Sequence, residues 1–162
     1  MQRIISLKHR WNLLCENLGH TFNLAIDDRA MKEVFTDILS RYSKAGRIQH
    51  LTKCIEEARI ANTILYGVTL SNAPKAMILE AETALWLHGL VDVKEKRTRT
   101  FASVIVAKDL LHRLGLPISF INKVAHIIVA IQQHEKLGKD PAEQIAISIH
   151  ADVKNSVRKI RG

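Results

Sequence analysis

The stretch Ala81-Glu82-Thr83-Ala84-Leu85-Trp86-Leu87-His88-Gly89 carries the clearest sign of how this chain folds. Wound as a helix, Ala81–Leu87 carries apolar side chains nearly all the way round. Such a helix belongs in the middle of a bundle, because only other helices can cover all its faces. Val124–Ile131 reads the same way, so two central helices are expected. Polar side chains on them must find partners or serve a function. His88, His126 and His134 are the residues in question.

Helical periodicity is readable in seven segments. The first covers Ile4 to Leu18, with Leu7, Trp11, Leu14 and Cys15 on one stripe, and Gly19 is expected to stop it. The second starts after Asp27 or Asp28 as N-cap, carries Met31, Val34, Phe35, Ile38, Leu39 and Tyr42, and ends near Gly46. The third covers Ile48 to Tyr66. The fourth opens at Asn72-Ala73-Pro74, with Pro in its first turn, and runs to His88-Gly89. A charged loop, Lys94 to Arg99, leads to a fifth helix ending at Leu114-Gly115. Leu116-Pro117 opens the sixth, which reaches His134, and Asp140-Pro141 opens the seventh. The expected fold is all-α, a single helical domain over residues 1–162.

Composition agrees. The 162 residues are enough for one domain with a real core, and 47% apolar with 25% charged suits a folded chain. Cys15 and Cys54 lie within helices and form no CxxC pair, which argues against a disulfide framework and for a reducing, cytoplasmic setting. The opening Ile4-Ile5-Ser6-Leu7 is interrupted by Lys8, His9 and Arg10, too short for a signal or a membrane span, so no membrane insertion is expected. The net charge of +8 attracts polyanions in general and selects none.

Four residues could carry chemistry. His50 and Cys54 stand one turn apart on the third helix, so both side chains point the same way, and both types bind zinc-like metals. The ordinary alternative for Cys54 is a small apolar filler. His88 sits at the end of a buried helix, where it can reach a cavity or bond a backbone carbonyl as a core histidine. Asp152, in Ile149-His150-Ala151-Asp152-Val153, can bring a carboxylate to the same place or simply face solvent. His134 and His150 are further candidates.

Trp11, Arg41-Tyr42-Ser43, Gln49-His50-Leu51-Thr52-Lys53-Cys54, Leu87-His88-Gly89, Leu114-Gly115-Leu116-Pro117, Gln132-Gln133-His134 and Ala151-Asp152-Val153 follow one another along nearly the whole chain. In that order and spacing they resemble the landmarks of the HD-domain superfamily, in the branch of small predicted metal-dependent phosphohydrolases. The resemblance implies a helical bundle whose metal is held by a His, a His-Asp pair and a distant Asp. Carried onto this chain, the metal ligands are Cys54, His88 and Asp152, with His50 in a catalytic position. Two departures fall on the site: Cys54 replaces the first ligand His, and Gly89 replaces the Asp of the pair. The acidic stretch expected after the pair is instead Arg99-Thr100-Phe101-Ala102. Members usually continue past the late Asp helix, so a shortened C-terminal end is also expected.

Gly supplies neither oxygen nor charge, so hydrolytic power should be much weakened. Asp92 or Glu135 could replace the carboxylate in space. A divalent transition metal, zinc, manganese or iron, is the implied cofactor, and a Cys-His-Asp set favours zinc among them on ligand softness. The leading expectation is therefore a non-catalytic binding or interaction module of phosphohydrolase descent, with a homo-oligomer as one form of it. An active phosphohydrolase of nucleotides or other phosphorylated small molecules is the runner-up. A basic nucleic-acid-binding module using Lys94, Lys96, Arg97 and Arg99 is the third reading, without a recognition motif to support it.

Overall fold

The computed structural model describes residues 2–68, 75–133 and 141–161, and these form seven α-helices with no strand among them. The helices are α1 (Gln2–Phe22), α2 (Asp28–Lys44), α3 (Ile48–Val68), α4 (Lys75–Leu87), α5 (Lys96–Arg113), α6 (Ile118–Gln133) and α7 (Pro141–Arg161).

α4 is the axis of the bundle. It packs against α1, α3, α6 and α7, and every residue from Ala81 to Leu90 is buried. The all-round apolar pattern thus has the meaning expected of it. α6 is different: Ile121, Val124, Ile127, Ile128 and Ile131 are buried, whereas Ser119, Asn122, Lys123 and His126 face outward. It is an amphipathic wall rather than a second axis, and His126 is removed from the site by its exposure.

The apolar stripes of the other helices close on this axis. α1 buries Leu7, Trp11, Leu14, Cys15 and Leu18, and α2 buries Val34, Phe35, Ile38 and Tyr42. Trp11 meets Trp86 edge-on at 5.3 Å between ring centroids, and Phe35 meets Trp86 at 6.4 Å. Such rings supply large buried area and a preferred geometry as well. The Trp11 indole N–H donates to the carbonyl of Met31 at 3.1 Å, so its polar end is satisfied. One ion pair enters this region: Arg10 reaches Glu82 of α4 at 3.2 Å.

Several boundaries differ from expectation for local reasons. α1 does not stop at Gly19 but runs to Phe22, and Asn23 then takes the left-handed conformation at φ 53°. Gly19 serves the returning chain instead. The Leu24 N–H bonds its carbonyl at 2.8 Å, and a Cβ at position 19 would lie only 2.8 Å from the Leu24 carbonyl oxygen. Asp27 is the N-cap of α2, accepting from the Ala30 N–H at 3.1 Å. The charged segment 94–99 is mostly helix rather than loop, because Glu95 caps α5 through the Arg97 and Thr98 N–H groups. The expected caps Asn72 and Asp140 lie outside the described residues.

Candidate metal centre

Three helices bring one histidine each to a common point. His50 lies in the first turn of α3, His88 directly follows the last residue of α4, and His150 lies within α7. α3, α4 and α7 pack on one another pairwise, which is why residues so far apart in sequence meet. One ring nitrogen of each histidine lies within 4.8 Å of the other two. The three are close enough to hold a metal ion.

The closest approach is between Nε2 of His50 and Nε2 of His88, at 3.0 Å. His150 stands nearly perpendicular to both, its ring centroid 5.3 Å from that of His50 and 4.9 Å from that of His88. His88 and His150 are buried, and His50 is half-buried at the edge of the group.

The tautomer of His88 follows from its surroundings. Its Nδ1 lies 2.7 Å from the carbonyl of Leu85, which can only accept, so Nδ1 carries the proton and donates. Nε2 is then a bare lone pair directed at His50. Burial, the neighbouring His150 and His50 rings and the Arg47 charge hold His88 well below the ordinary histidine range, so the ring is neutral at pH 7. A neutral imidazole fixed through Nδ1–H to a carbonyl is the usual state of a histidine metal ligand. The carbonyl of His88 is itself fixed, accepting from the Gln132 side-chain amide, which also reaches Ser103 Oγ at 3.3 Å.

Gly89 is surrounded. A Cβ there would sit 3.0 Å from a ring carbon of Tyr42, 3.2 Å from its hydroxyl and 3.2 Å from a guanidinium nitrogen of Arg47. The Tyr42 hydroxyl accepts from the Gly89 N–H at 3.0 Å and donates to the carbonyl of Trp86 at 2.9 Å. The place where the resemblance puts a carboxylate therefore holds an aromatic ring and a positive charge. Arg47 was not legible as a site residue in the sequence. Its only signal is its position one turn before His50.

The expected residues fare differently. Cys54 is buried, with Sγ 3.7 Å from His50 Nε2, but burial pushes its thiol up to about 12, so it is a neutral thiol beside the histidines. Asp152 lies on α7, its side chain outside the described residues, as are His134 and Glu135 altogether. Asp92 is exposed in the connection after α4. Lys94, Lys96 and Arg97 are exposed and Arg99 is half-buried, all around the start of α5. Among the described residues, no helix is long and apolar enough to cross a membrane.

Comparison of the chain with protein-family models, with curated proteins and with solved structures finds no match.

Proposed function

We propose that this chain is a helical module descended from the HD-domain phosphohydrolases that has given up hydrolysis and acts by binding. The observation that supports the reading is the filling of the space beside Gly89 by Tyr42 and Arg47. In a hydrolytic site a divalent ion supplies Lewis acidity and an activated water, and a carboxylate ligand balances its charge. Here position 89 has no side-chain oxygen to give, and the charged group beside it is the cationic Arg47. The buried Tyr42 hydroxyl, bonded at both ends to backbone groups around His88, fixes this arrangement rather than leaving a gap that a neighbouring acid could enter.

The order His50, Cys54, His88 and Asp152 along a seven-helix bundle supports the descent part of the proposal, and the residue changes support the loss of activity. The test is release of phosphate from p-nitrophenyl phosphate with magnesium, manganese or zinc present. The expected result is no turnover above the metal-only blank. Metal-stimulated turnover that vanishes in His88→Ala would sink the proposal.

A further inference from the structure

We infer that His50, His88 and His150 form a site for a borderline divalent transition metal, zinc being the reference ion, held by three neutral imidazoles. This site is independent of the descent proposed above. It differs from the ligand set that the resemblance implies, since only His88 belongs to both.

The geometry carries the inference. Ring nitrogens on one tetrahedral zinc ion, bound at about 2.0–2.1 Å each, stand roughly 3.3 Å apart. His50 and His88 already hold their Nε2 atoms at 3.0 Å, and one ring nitrogen from each of the three histidines lies within 4.8 Å of the other two. Closing the set to zinc spacing requires the most distant nitrogens to approach by about 1.5 Å at most. The donors are anchored on three separate helices, and the His88 ring is oriented by Leu85, an outer-shell bond of the kind that accompanies ligating histidines.

The donor chemistry selects the ion. Imidazole suits zinc, copper, nickel and iron, whereas magnesium and calcium require oxygen ligands. Three neutral donors add no negative charge, and Arg47 lies near, so hard cations gain nothing here. His50 is half-buried and gives the ion a way in. The competing account is a group of core histidines that share hydrogen bonds and hold no ion, and the experiment separates the two.

The full chain, free of any affinity tag and stripped with a chelator, is titrated with zinc by calorimetry and with cobalt(II) by visible absorption. One equivalent per chain is expected, with the intense visible bands of a four-coordinate cobalt site. His50→Gln and His150→Gln should each weaken binding by about 100-fold or more, beyond the 10–100-fold typical of outer-shell changes. His126→Gln, at an exposed histidine, should leave it unchanged. Circular dichroism checks that each variant stays helical, and half-exposed His50 is the safer of the two ligand changes. Failure of the folded, unaltered chain to take up either metal would overturn the inference. So would undiminished binding in a folded His50→Gln variant.

Discussion

The Nε2 atoms of His50 and His88 lie 3.0 Å apart although 38 residues separate the two histidines in the chain. One comes from the first turn of α3 and the other from just beyond the end of α4. With His88 Nδ1 donating to Leu85, the His88 lone pair must be met by a donor or by a cation. A proton added at His88 Nε2 would disrupt this contact, so His88 is the acid-sensitive member of the pair.

Stability of the metal-free protein should therefore fall in mild acid. An unfolded histidine titrates at about 6.5, whereas His88 in the folded chain is held well below that range. Below about pH 6.5 the unfolded state binds a proton that the folded state refuses, so stability decreases as the pH drops, by up to about 1.4 kcal/mol per unit. Above about pH 7 this residue contributes no slope. Urea midpoints at pH 5.5 and 7.5 measure the effect, and His88→Gln should flatten the difference. An equal slope in that variant would remove His88 as its source.

Tyr42→Phe should destabilise the fold while leaving the ring packing in place. The lost hydroxyl bonds the Gly89 N–H and the Trp86 carbonyl, both buried, and neither finds water in its place. A cost of about 1–3 kcal/mol is expected for stranding buried polar groups. Chemical denaturation reads it directly. A change under about 0.5 kcal/mol would mean that other partners reach those backbone groups.

Arg10→Met should cost about 3–5 kcal/mol at pH 7, because it leaves the buried Glu82 carboxylate uncompensated. Burial already pushes Glu82 up from its ordinary value, with Arg10 opposing. A raised carboxyl takes up its proton more readily folded than unfolded, so the loss should shrink as the pH falls through the folded value. Adding Glu82→Gln to the variant should recover part of the stability at pH 7. A double variant no more stable than Arg10→Met would place the cost in lost packing of the arginine stem.

The fold was legible because its signals are local and repeated. The stripes of α1 and α2, the cap at Asp27 and the all-round apolar run at Ala81–Leu87 each state which face is buried, and burial follows. Gly19 misled because a glycine can end a helix or admit another backbone, and only the fold tells that Leu24 returns across it. The site was half legible. His50, His88 and Cys54 were picked out by spacing and by their place on helices, and His150 as a neighbour of Asp152. That the three histidines converge is a fact of helix packing, which no spacing along the chain encodes. Arg47 was invisible for the same reason: a basic residue between two helices looks like solvated surface until Gly89 is seen to face it.

The placement of the three histidines on α3, just past the end of α4 and on α7 has one more consequence. An ion held by all three would act as a latch that engages only once α7 has docked against the start of α3 and the end of α4. At a free concentration one hundred times its Kd, such an ion adds about 2.7 kcal/mol to the stability of the closed bundle. Metal supply would then set how long α7 stays docked.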